Sequence, residues 1–252
     1  MMMTLDWIKS LDPKRVIVLD TETTGLDPDE NEILSLSIVN LDGEVLFDEL
    51  VKPERRKRWP KAAEINGITP AMVKDKKHLV EYGDQLRELW KNIDLVVGYK
   101  VDFDSDFLYS SGLCLSPYVQ EFDVMREFAP IWGKWNERTN NWRWAKLTQC
   151  AKHYGIEDFD AHTSLADAEA TRKCFIALTN DPKYMESRLV GNEPAAHKTE
   201  SGRSTRDKIA APHKSISEQA KDEPGITVGC ITIIVILLFL IGGCVSSIAS
   251  LF

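Results

Sequence analysis

Two carboxylates two residues apart, Asp20 and Glu22, follow the apolar run Val16-Ile17-Val18-Leu19. The run reads as a buried β-strand, and alternate side chains of a strand share a face. Asp20 and Glu22 therefore leave the strand end side by side, where like charges repel. A hard cation, Mg²⁺ or alternatively Mn²⁺, between them offsets that repulsion through oxygen ligands. Taken alone, the pair is equally a strand ending in a solvated acidic turn. Much further along, His162 precedes Asp167 by little more than one helical turn. The Ala- and Leu-rich stretch 164–178 predicts a helix, which puts Asp167 in its first turns and His162 just before it. An imidazole with an unperturbed pKa of about 6.5 is suited to moving protons near neutral pH. A third acidic group, Asp102, Asp104 and Asp106, sits where a short strand, 95–98, meets a helix. Acidic residues in a first helical turn also complement the helix dipole, so these three carry no chemistry on spacing alone.

Other elements must hold these groups in place. Period-two alternation predicts a strand over 33–41, a turn at Asp42-Gly43 and a returning strand over 44–51. The segment 78–90 is amphipathic, with Leu79, Tyr82, Leu86, Leu89 and Trp90 on one side of a helix. A strand is expected within 117–122, with Asp123 as the N-cap of the next helix, and a further helix over 145–154. Two stretches stay open between a structural and a nucleic-acid role. The basic run 52–61 contains Trp59 and reads as a solvated loop or a phosphate-contacting arm. The stretch 131–144 holds Trp132, Trp135, Trp142 and Trp144, four of the seven tryptophans, among Lys and Arg. It is a stacking platform for bases or a loop packing its own aromatics.

The chain has 252 residues and a formal net charge of −8, which excludes binding nucleic acid through a broadly basic surface. Five cysteines without a paired spacing argue against a disulfide framework or a zinc site. Residues 1–10 hold no apolar run of signal-peptide length, so a cleaved export signal is not expected there. From 181 to 224 the composition turns to Ser, Thr, Lys, Glu, Ala and Pro, as expected of a disordered linker. Residues 226–248 are uncharged and, at about 23 residues, long enough to span a bilayer. Basic residues lie only upstream of that stretch, so the positive-inside rule leaves the folded part in the cytoplasm. The expected organisation is a catalytic domain over 1–180, a polar linker over 181–224 and a single-pass transmembrane tail anchor over 225–252.

Taken together and in order, Asp-Thr-Glu-Thr-Thr-Gly-Leu at 20–26, Val-Asp-Phe-Asp at 101–104 and His-x-x-x-x-Asp at 162–167 resemble the DEDDh-type 3′–5′ exonucleases. The Ile-Asn-Gly-Ile-Thr turn at 65–69 is similar to theirs as well, and the resemblance covers about residues 14–178. It implies an α/β fold, a ribonuclease H-like mixed β-sheet flanked by helices. It also implies two divalent cations that clamp the scissile phosphate, held by Asp20, Glu22, Asp104 and Asp167, with Asp20 bridging. Asp104 is chosen over its neighbours because it follows Phe103 as in the family pattern. His162 is then the base that takes a proton from the attacking water. Thr23, Leu26 and Asn66 are expected to hold the terminal nucleotide. The implied substrate is nucleic acid with a free 3′ end, single-stranded DNA or RNA, cut to 5′-mononucleotides. The chain departs from the pattern at Tyr99-Lys100, where many members have His-Asn, so a changed substrate contact is expected there. The competing function is a membrane-tethered nucleic-acid-binding adaptor with a weak or vestigial site, whose signature would be a missing carboxylate.

Overall fold

The computed structural model describes residues 3–156 and 162–189. The remainder of the expected linker and the apolar stretch 226–248 lie outside the described residues. Among those described, no helix is long and apolar enough to cross a membrane.

A short helix, α1 (Leu5–Ser10), leads into β1 (Val16–Thr23), β2 (Ile33–Asn40) and β3 (Val45–Leu50). Helices α2 (Pro60–Asn66), α3 (Pro70–Val73) and α4 (Gly83–Trp90) follow, then β4 (Leu95–Gly98), α5 (Val101–Ser110), β5 (Gln120–Asp123) and α6 (Val124–Trp132). A two-stranded hairpin of β6 (Trp135–Asn136) and β7 (Asn141–Trp142) precedes α7 (Leu147–His153), α8 (Ser164–Thr179) and α9 (Pro182–Leu189). The main sheet runs β3-β2-β1-β4-β5. Strands β1, β2 and β3 pair antiparallel, and β4 pairs parallel with both β1 and β5. This is the mixed sheet with helices on both faces that the resemblance implied.

Period-two alternation in β1 divides the core in two. Val16 and Val18 pack with Leu95, Val97, Phe122, Phe128, Phe175 and Leu178 under α6, α7 and α8. Ile17 and Leu19 face the other way, onto Leu86, Trp90, Phe107 and Leu108 of α4 and α5. Each such side chain contributes about 1.5–3 kcal/mol when fully buried. Phe122 meets Phe175 edge to face at 4.9 Å, fastening β5 to α8.

The expected helix over 78–90 is a turn of 3₁₀ helix at Leu79–Tyr82 followed by α4. Gly83 lies at the junction. The expected start of the linker is corrected: residues 182–189 form α9, with Tyr184 buried and its hydroxyl donating to Glu127 Oε2 at 2.9 Å. One aromatic ring in an otherwise polar segment is enough to dock a short helix, and composition averages it away.

Candidate active site

Strand β1 outruns its parallel neighbour. Only Val16, Ile17 and Val18 pair with β4, while β1 continues to Thr23 beside β2. Its last residues thus stand over the carboxyl end of the parallel strands, where open α/β sheets place their ligands. Alternation from Val16 and Val18 puts Asp20 and Glu22 on the face covered by α8. Helix α8 begins against β2 through a buried run of hydroxyls. Ser164 shares hydrogen bonds with Ser35 at 2.6 Å and Ser37 at 2.7 Å, and Ser37 donates to Asp48 at 2.7 Å. That seat brings Asp167, one turn on, to the two strand carboxylates.

Among the described residues, Asp20, Glu22 and Asp167 form a group whose carboxylate oxygens all lie within 4.8 Å of one another. Burial, with repulsion from Asp104, Asp167 and Glu22, raises Asp20 well above the usual carboxylate range. Burial pushes Glu22 up to about 7, with Asp167 repulsion adding and a hydrogen bond from Asn66 opposing. Three hard oxygen donors converge here, at a cost to the charged forms of Asp20 and Glu22, and such a group fits a divalent cation, which removes that cost.

Asp104 arrives from the opposite face of the sheet on α5. It stands beside the group and outside that 4.8 Å set. Its Oδ1 accepts from the Thr21 N–H at 2.9 Å and the Thr21 hydroxyl at 2.6 Å. Burial raises it to about 7 against those two bonds. Its neighbours are otherwise engaged or exposed: Asp102 pairs with Arg126, and Asp106 points to solvent. Asp104 is thus the buried carboxylate of the three.

His162 has a left-handed backbone, φ 78°, and its N–H donates to Asp167 Oδ2 at 3.2 Å. His162 and Asp167 line one pocket together with Tyr99, Lys100, Trp144 and Lys146. The turn after β1 gathers the three expected nucleotide-holding residues. Thr23 is buried, its hydroxyl donating to the Gly25 carbonyl at 2.6 Å, and its own carbonyl accepts from Asn66 Nδ2 at 3.3 Å. Leu26 is 84% exposed, an apolar side chain held out beside them. A Cβ on Gly25 would meet Asn31 Oδ1 at 2.5 Å, so the close approach at that glycine is to Asn31.

Trp59, inside the basic run left open between a solvated loop and a phosphate-contacting arm, offers no ring to a ligand. It is buried beneath α2, with its indole N–H donating to the Ile68 carbonyl at 2.6 Å. The basic arm around it is anchored by Glu32, whose carboxylate accepts the backbone N–H groups of Glu54, Arg55 and Arg56. An acceptor twenty-odd residues upstream gives no local signal.

The fold is ribonuclease H-like, and the family to which the chain belongs is one of nucleases. The family model RNase_T, described as Exonuclease, matches residues 17–175, and the chain belongs to that family. An uncharacterized exonuclease, CP81, of Escherichia phage 186 is 30% identical over 173 residues, covering 64% of this chain and 87% of that protein. The PolC-type DNA polymerase III of Thermotoga maritima is 28% identical over 169 residues, 64% of this chain but 11% of the polymerase. This chain therefore corresponds to a small part of that relative. Among solved structures, E. coli exonuclease I with a bound oligonucleotide superposes with a TM-score of 0.54 at 19% identity, covering 68% of this chain and 42% of that one. Exonuclease X in complex with 5′ overhanging duplex DNA gives 0.51 at 21% identity, covering 69% and 96%. At these identities the two structures speak for the fold.

Proposed function

We propose that this protein removes nucleotides from the 3′ end of single-stranded DNA or RNA, releasing 5′-mononucleotides. The observation that carries the reading is the convergence of Asp20, Glu22 and Asp167 within 4.8 Å, with His162 on the same pocket. Divalent cations, Mg²⁺ or Mn²⁺, supply Lewis acidity toward the phosphate and an activated water. Asp20, Glu22 and Asp167 would hold them, with Asp104 as the fourth carboxylate, oriented by Thr21. His162 takes the proton from the attacking water at an imidazole nitrogen. Leu26 offers an apolar surface to the terminal base, while Thr23 and Asn66 shape the turn that presents it. All four carboxylates and the histidine are present, and this favours an enzyme over a tethered binding module.

The same proposal includes the tail. The uncharged stretch 226–248 would anchor the domain to a membrane as a single pass, with the catalytic part on the cytoplasmic face. Its support is its length, its lack of charge and the upstream lysines and arginines.

The test is a panel of single-stranded DNA and RNA, each labelled at the 5′ end, with Mg²⁺ or with EDTA. The expected result is a ladder shortening from the 3′ end in Mg²⁺ and no cleavage in EDTA. Cleavage that ignores EDTA, or intact substrates throughout, would sink the reading. For the tail, the full chain should resist alkaline extraction from membranes, and a form ending at 224 should be released.

A further inference from the structure

We propose that Trp144, with Lys146 and Lys100, forms a subsite for the single strand on the 5′ side of the nucleotide being released. The inference rests on the exonuclease reading and adds to it a surface that the catalytic groups do not supply. Four tryptophans crowd residues 131–144, and three are engaged. Trp135 and Trp142 pack edge to face at 5.0 Å across the β6–β7 hairpin, and Trp132 lies under the Lys134 ammonium at 4.2 Å. Trp144 is 58% exposed. An indole this exposed forgoes much of the burial its size allows. This one stands on the rim of the pocket that His162 and Asp167 line.

Its position is built into the fold. Tyr99, at the end of β4, donates its hydroxyl to the Ala145 carbonyl at 2.8 Å. Ala145 is itself buried, so the backbone between Trp144 and Lys146 is tied to the sheet. Tyr99-Lys100 is where the sequence departs from the family pattern. The structure gives that departure a use: Tyr99 pins the tryptophan segment, and Lys100 lines the same pocket, its ammonium over the Phe103 ring at 5.1 Å. Lys100 takes a left-handed conformation, φ 74°, with its N–H donating to Asp123 Oδ1 at 3.2 Å. The preceding Gly98 permits this junction, since a Cβ there would meet the Val101 backbone at 2.9 Å.

Charge chooses the occupant. The protein carries a net −8, yet Lys100 and Lys146 both line this pocket and Arg143 is exposed next to Trp144. Cations set around an open indole, next to a carboxylate centre that repels polyanions, suit a strand whose phosphates meet ammonium groups while a base stacks on the ring. Such stacking is tolerant of base identity.

The test is the affinity of the full chain for a twelve-residue oligothymidylate, measured with Ca²⁺ in place of Mg²⁺ to hold turnover down. Trp144→Ala should weaken binding by about 5- to 150-fold, the range of one lost base stack, and Trp144→Phe should restore most of it. Affinity for thymidine 5′-monophosphate should move less than about twofold, because a mononucleotide does not reach this rim. Lys146→Gln should lower the slope of log affinity against log salt by about 0.7, one phosphate contact on a single strand. Tyr118→Ala, an exposed aromatic on another surface, controls for nonspecific ring effects. Unchanged oligonucleotide affinity in Trp144→Ala, or equal losses for oligonucleotide and mononucleotide, overturns the subsite. Failure of the exonuclease reading would show separately, as wild-type protein that leaves the same oligonucleotide intact in Mg²⁺.

Discussion

Thr21 gives both its backbone N–H and its hydroxyl to one oxygen of Asp104, at 2.9 and 2.6 Å. The two residues come from β1 and α5, and their contact crosses the strand that carries Asp20 and Glu22 on its other face. Strand alternation thus makes Thr21 the residue that holds the fourth carboxylate against the site.

Thr21→Val keeps the shape of the side chain and the backbone bond and removes the hydroxyl. Losing one hydrogen bond to a buried carboxylate costs about 1.5–3 kcal/mol. Urea unfolding should show that loss, and the Mg²⁺ concentration for half-maximal hydrolysis should rise several-fold. A variant with wild-type Mg²⁺ dependence would mean that Asp104 plays no part in metal binding.

His162 and Asp167 are separable by what each should lose. His162→Ala should cut the turnover rate by about 10²- to 10⁴-fold, the usual contribution of a general base. Its half-saturating Mg²⁺ should stay within about threefold of wild type. Asp167→Asn should abolish Mg²⁺-dependent hydrolysis and also raise the melting temperature of the metal-free protein, because one charge leaves a crowded group. For a chain of this size about 1 kcal/mol corresponds to about 2–4 °C. Matching losses of rate and metal affinity in His162→Ala would assign the imidazole as a ligand instead.

Stability should depend on pH in a direction set by Glu22 and Asp104, both raised to about 7. An unfolded carboxyl releases its proton near pH 4. Between about pH 4 and 7 the metal-free folded state therefore binds more protons than the unfolded state, and stability falls as pH rises through that window. Thermal melts in EDTA should be higher near pH 5 than near pH 8. On the proposed reading Mg²⁺ would bind the deprotonated group, so its stabilising effect should grow over the same interval. Melting temperatures in EDTA that rise from pH 5 to pH 8 would contradict the electrostatic account of the site.

Ser164→Ala tests the seat of α8. The change leaves the buried Ser35 and Ser37 hydroxyls without their shared partner. A cost of about 1–3 kcal/mol is expected, together with a several-fold rise in half-saturating Mg²⁺ as Asp167 loses its fixed position. Chemical unfolding and a Mg²⁺ titration of the rate read the two effects; a stability loss with unchanged Mg²⁺ dependence would confine Ser164 to the fold.

Much of the site was legible because its signals are local. Asp20 and Glu22 follow directly from strand alternation. His162 and Asp167 follow from a helix start, and Asp123 from its position as an N-cap, where its side chain does accept the Arg126 N–H. Asp104 could not be separated from Asp102 and Asp106 by spacing alone. Only the family pattern picked it out, since the difference among them is burial and a partner on another strand. The place of Trp59 stayed open for the related reason that a tryptophan in a basic run gives no local sign of a carbonyl waiting nine residues on. Tyr184 was lost in the average composition of its segment.

The sequence by itself determined the hairpin of the alternating segments 33–41 and 44–51, the identity of the acidic residues and the resemblance to the family. Periodicity and motif spacing depend only on neighbours along the chain. The tertiary structure decided which side chains share space: Thr21 with Asp104, Ser164 with Ser35 and Ser37, Tyr99 with Ala145, and Trp144 on the rim beside His162. Each of those pairs joins elements from 46 to 129 residues apart, or meets only across the pocket. Folding alone brings such residues together, because close packing around the sheet sets distances that sequence separation does not encode.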